Sequence, residues 1–222
     1  MAPLLLLVLA ATLAASPGEG RVVEEVVAVI RPPGGESRVV TLTRLTEEAR
    51  IVMISRGATE AALRPLDGPA LKATLDWYVD QTLLSEEAAR LKVAEVEPGE
   101  ARAELDRFRS RFARPDDYAD FLARNDLSQE DVLAVLRRML RVQRYLDSRV
   151  ATAARARVSD ADVEAAWKER QAEFGGLPLA QAREAVRARL AQERIQAEVK
   201  SLLADLRRRA EVRVLVTFGA GA

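Results

Sequence analysis

The chain has no cysteine and no histidine in 222 residues. The first absence excludes a disulfide framework. Together they exclude the usual zinc sites and any Ser-His-Asp or Cys-His catalytic unit. Aromatic residues are scarce at 5%, and 11 glycines with 9 prolines are few for a turn-rich sandwich or barrel. Net charge is also missing, because 34 Lys and Arg balance 34 Asp and Glu. A generic nucleic-acid binder carries a basic excess, so no nucleic-acid partner is expected. What remains is 49% hydrophobic and 31% charged residues. That composition suits long amphipathic helices, and the length allows a sizeable core.

Residues 4–13 (LLLLVLAATL) form a continuous apolar run, followed by Ala14, Ala15 and Ser16 and then by Pro17 and Gly18. Spanning a bilayer takes about 20 apolar residues. The run is shorter, and with small residues after it fits the core of a secretory signal peptide. Only the amino group supplies positive charge ahead of it. We expect a signal peptide over residues 1–20, cut between 14 and 20, and an exported protein without stable membrane insertion.

The remainder reads as a short hairpin, a set of helices and one closing strand. Residues 22–30 (VVEEVVAVI) are dense in valine and read as a strand. Pro32, Pro33, Gly34 and Gly35 make a turn, and residues 39–42 return as a second strand or lead into a helix. Thr43 or Thr46 is the expected cap of a helix over residues 47–55. A long helix follows the loop at 64–69 and runs to Leu91, with Leu71, Leu75, Tyr78, Val79, Thr82 and Leu83 at helical spacing. Pro98 and Gly99 punctuate, and residues 100–112 are again helical. Asp116 and Asp117 open a short helix whose core residues are Tyr118, Phe121 and Leu122.

Ser128 with Asp131, and Ser159 with Asp162, are capping signatures for two further helices. After Gly175, Gly176, Leu177 and Pro178, a last helix over 179–209 carries Ala182, Val186, Leu190, Ile195, Val199, Leu202 and Leu206. The closing strand at 212–216 has no sequence neighbour, so it must pair with the strands near residues 22–42. The expected fold is therefore mainly α, a single domain over 21–222 whose two ends share one small sheet.

Few residues invite chemistry. Asp160 and Asp162 lack the other ligands of a metal site and are better read as a helix cap. Lys200 and Ser201 are adjacent on a helix and diverge by about 100°. The arginines at 107, 111 and 114, at 137, 141 and 144, and at 207–209 alternate with acids. Only four of the 34 basic residues are lysine, so arginine runs read as solvated helix faces. No cofactor, metal or catalytic residue is expected.

The helix containing Leu75, Tyr78, Val79, Asp80, Leu83, Leu84, Glu87, Ala88 and Leu91 resembles the signature helix of the SurA-like chaperones of the bacterial envelope, which include the PpiD-type foldases. Other segments follow in that family's order. RVVEEVVAVI resembles the opening strand, and DLSQED with LRRML, within residues 126–140, resembles a fourth-helix region. Residues 158–174 resemble the helix that leads into a parvulin isomerase domain, and residues 184–215 resemble the closing helix and strand. The likeness spans about 22–216. Members with foldase activity carry an isomerase domain of about a hundred residues where this chain has only residues 175–178.

The resemblance thus implies the chaperone module alone: a periplasmic, ATP-independent holdase for unfolded envelope or outer-membrane proteins, and not an enzyme. Its clients would be unfolded polypeptides held on exposed apolar surface, with strand addition as reinforcement. Ile51, Met53, Ile54 and Trp77 are the candidate peptide-binding residues; the same four would serve equally well as core. The alternative is a structural or adaptor protein that docks one folded partner or forms a homodimer. A residual peptidyl-prolyl isomerase is the third reading.

Overall fold

A computed structural model describes residues 24–155 and 158–218. The expected leader, and residues 22–23 of the expected first strand, lie outside the described residues. Among those described are eight α-helices and a three-stranded antiparallel sheet.

The chain opens with β1 (Val26–Arg31), turns at Pro32–Gly35, where Gly34 takes φ +72°, and returns as β2 (Arg38–Thr41). The final strand, β3 (Glu211–Val214), lies on the other side of β1, giving the order β2-β1-β3. Ala28 sits opposite both Val40 and Val214, and Val29 opposite Val39 and Arg213. The two ends of the chain therefore share one sheet. The terminal strand has only non-local partners available, and a strand left unpaired would strand its amides.

Helix α1 (Leu42–Ser55) begins directly after β2. The Thr41 hydroxyl caps it by accepting from the Arg44 amide at 3.2 Å. The expected caps, Thr43 and Thr46, are already inside the helix, and Thr46 donates back to the Leu42 carbonyl at 2.8 Å. A single turn, α2 (Thr59–Ala62), leads to α3 (Gly68–Arg90), whose Asp67 side chain accepts from the Ala70 amide at 2.8 Å.

Helix α4 (Pro98–Arg109) starts at the proline rather than after it, since the fixed φ of proline suits a first helical turn. Helix α5 (Pro115–Arg124) follows, then α6 (Gln129–Arg155). Helix α7 (Asp160–Arg170) carries the expected box: Asp162 donates its amide to Ser159 Oγ at 3.1 Å, and Ser159 donates its amide to the Asp162 carboxylate at 2.9 Å. A 3-10 turn at Gln171–Phe174 and left-handed Gly175 and Gly176 reverse the chain into α8 (Leu179–Arg209).

Three apolar clusters hold the molecule. The first packs the sheet (Val27, Ala28, Ile30, Val40) against Leu75, Tyr78 and Leu83 of α3, Val142 and Tyr145 of α6, and Leu206 of α8. The second gathers α1, α4, α5 and the start of α6 around Phe108, Phe121 and Leu136. The third is small: Val163 and Ala166 of α7 against Ala182 and Val186 of α8. Helices α1 and α6 contribute to both large clusters: Leu45 and Val142 to the first, Ile51 and Leu136 to the second.

Candidate binding surface

Three residues of α1, Ala49, Val52 and Met53, with its C-cap Arg56, fall at i, i+3, i+4 and i+7 and form one stripe. Facing them on α3 are Ala73, Thr74 and Trp77. Between the stripes lies a shallow groove of about 140 Å³. Met53 and Trp77 are partly exposed. Met53 packs against the second cluster and Trp77 against the first, so the groove follows the seam between the two cores. Arg56, at its end, has no acidic partner among the described residues.

The structure thus brings together two of the four residues singled out from the sequence and separates the other two. Ile51 and Ile54 have no exposed surface and belong to the second cluster. They cannot line a binding surface. On a 100° helical repeat they point away from Met53, toward α4 and α6. Of the groove residues missed in the sequence, Ala49, Ala73 and Thr74 are small, and Val52 is indistinguishable by type from the buried residues around it.

A larger cleft, of about 760 Å³, opens where the α2 turn meets α5. Gly57, with φ +87°, residues 58–61, Leu63 and Arg64 form one wall; Arg111, Ala113, Asp117, Asp120 and Arg124 form the other. The floor is Phe112 and Phe121, whose ring centroids are 5.6 Å apart. Phe108 and Tyr118 complete the aromatic cluster, at 5.7 Å and 5.6 Å from Phe112, separations at which such rings attract. Burial pushes the Tyr118 hydroxyl above its usual pKa, partly opposed by Arg109, whose guanidinium lies 5.2 Å from the ring centroid. Sequence spacing marks these aromatics as core, and Phe108 and Phe121 are. What spacing does not show is that Phe112 also lines a second depression of about 450 Å³, beside Arg109, Pro115 and Tyr118.

Charge around the large cleft is mostly neutralised within the chain. Asp117 meets Arg114 at 2.7 Å, and that guanidinium holds its carboxyl below the usual range; Asp120 meets Arg124 at 3.3 Å. Arg64 and Arg111 have no acidic partner among the described residues.

The acids elsewhere are similarly engaged. Asp160 accepts from Arg183 at 2.9 Å and from Arg187 at 2.6 Å, while Asp162 caps α7. Of the arginine runs, Arg107 pairs with Glu104, Arg144 with Glu100, Arg207 with Asp80, and Arg208 and Arg209 with Asp205. Among the described residues there is no group of three metal-ligating side chains, and no helix is long and apolar enough to cross a membrane.

Comparison with known proteins gives no match to a family model, to a curated protein or to a solved structure.

Proposed function

We propose that this chain is a periplasmic, ATP-independent holdase that binds unfolded envelope or outer-membrane proteins. The observation that carries the proposal is the open, apolar seam groove that Met53 and Trp77 both line. A thioether and an indole lining one groove offer adaptable apolar surface to varied side chains, and Arg56 in the same lining offers a charge to a polar neighbour. The aromatic-floored cleft between α2 and α5 supplies a second such surface. Open sites of this kind suit an extended chain better than a small molecule, which prefers an enclosing pocket. The expected leader and the resemblance of the sequence to the SurA-like chaperones support export and chaperone action.

The test is aggregation of a urea-unfolded outer-membrane barrel protein diluted into buffer, followed by light scattering with increasing amounts of the chain. Suppression saturating near equimolar ratio is the expected result. Met53→Glu places a charge in the groove and should raise the half-suppressing ratio several-fold without changing the circular dichroism spectrum. Absence of suppression at large excess would overturn the reading and favour an adaptor with one dedicated partner.

A further inference from the structure

The sheet has two edges, and β3 forms one of them. Its register fixes where its amides point. The Leu215 amide donates to the Val27 carbonyl at 2.9 Å, which makes residues 215 and 27 a hydrogen-bonded pair. Alternate pairs in an antiparallel ladder are hydrogen-bonded. Arg213, opposite Val29, and Glu211, opposite Arg31, therefore also bond to β1. Val212 and Val214 lie at the non-bonded positions, so their N–H and C=O groups face outward along the free edge. No hydrogen bond among the described residues reaches them. The adjoining surface is apolar, with Val214 54% and Leu215 57% exposed. Natural edges are usually blunted by charge, proline or a bulge. Here the blunting is limited to Glu211 and Arg213.

Those two charges are self-complementary. They lie on one face of the strand, two residues apart, and Arg213 bonds Glu211 within the chain. We propose that this edge is a homodimer interface: β3 of one copy pairs antiparallel with β3 of a second copy about a two-fold axis, joining two sheets into six strands. Two-fold symmetry makes the pairing of identical edges antiparallel.

The charges select the register. Centred on Val212, the pairing sets Glu211 of each copy opposite Arg213 of the other, twice over, with Val212 against Val212 and Val214 beside Ala210. Centred on Arg213, it would oppose two arginines directly, which is repulsive. Centred on Val214, it would leave Arg213 facing Leu215. In the first register the Val212 amides and carbonyls bond one another, and the Val214 amides donate to Ala210 carbonyls. The Ala210 amide is not needed, since it already donates to Leu206 at 3.0 Å.

The test is sedimentation velocity of the full chain, purified as its host processes it, from micromolar to millimolar concentration. A monomer–dimer equilibrium is expected. Arg213→Glu alone and Glu211→Arg alone should each weaken it by about tenfold or more, since each opposes like charges twice. An equimolar mixture of these two variants should recover the dimer as a heterodimer, because every facing pair is again Glu against Arg. Glu211 and Arg213 are 42% and 71% exposed, and Arg31, which meets Glu211 at 3.3 Å, is 59% exposed, so the fold should tolerate the changes. Val214→Pro removes an outward amide, leaves the β1 ladder intact, and should also weaken the dimer. A monomer at every concentration would overturn the proposal. So would a dimer insensitive to both charge reversals, or a mixture that fails to recover.

Discussion

Glu48 has no exposed surface, yet it is ionisable and sits on α1 between the two large cores. Its carboxylate meets Arg138 of α6, whose side chain is only 13% exposed, and Arg44 at 3.3 Å. Arg138 also lies over the Tyr78 ring of α3 at 5.1 Å. One acid therefore ties three helices together. Removing one member of a buried pair leaves the other charge desolvated and uncompensated, which costs about 3–5 kcal/mol. Glu48→Ala should lower unfolding free energy by that amount in a urea titration. Replacing the pair together, as Glu48→Leu with Arg138→Met, should recover most of the loss, because well-packed apolar substitutes remove the stranded charge as well.

The helix ends separate what a sequence announces from what it conceals. Ser159 and Asp162 make their capping box as spacing requires, and so does Ser128, which accepts from the Asp131 amide at 3.2 Å. The end of α3 has no such signal. Val93 donates its amide to Ala88 and Lys92 donates to Ala89, both at 3.0 Å, closing the helix in a Schellman motif. That motif places Lys92 at φ +53°, a left-handed position normally held by glycine. A side chain with a Cβ costs about 1–2 kcal/mol there. Lys92→Gly should therefore raise the urea midpoint, by about 1 kcal/mol of stability, with no change in helix content.

Across the whole molecule, acid is the expected route to unfolding. The absence of histidine leaves no side chain that ordinarily titrates between pH 5 and 8, so stability should be flat across that interval. Several carboxyls are held below their usual range. Arg90 bonds Glu87, Arg144 bonds Glu100, and Arg170 and Arg189 bond Glu193; the Ser128 hydroxyl bonds Asp131 and the Ser159 amide bonds Asp162. A carboxyl lowered in the folded state contributes stability that is present above its unfolded pKa and lost as pH falls through its folded one. Glu47, raised by burial, acts with the opposite sign but alone. Urea midpoints should thus hold level near neutrality and fall steadily below about pH 4.5. A transition centred near pH 6.5 would contradict this account.

Much of the architecture was legible because it follows from local rules. Period 3.6 in the apolar residues of α3 and α8 marks their buried faces, and Ser159 with Asp162 marks a helix start. A valine-rich strand with no local partner requires one at the opposite end of the chain, and β3 finds it on β1. Of the candidate groove, the sequence singled out Met53 and Trp77 but not their neighbours. On α1 the apolar residues run nearly around the helix: Leu45, Ala49, Ile51, Val52 and Ile54 are all buried. Periodicity therefore singles out no exposed stripe, and Met53 could not be told from Ile51 or Ile54. The packing of α1 between α3 on one side and α4 with α6 on the other decides it. The sequence by itself determined most of the helix and strand segments and that the two ends must meet, because hydrogen bonding and amphipathic period are local demands. Only the tertiary structure decided which apolar side chains stay in contact with water, because that depends on which neighbours arrive.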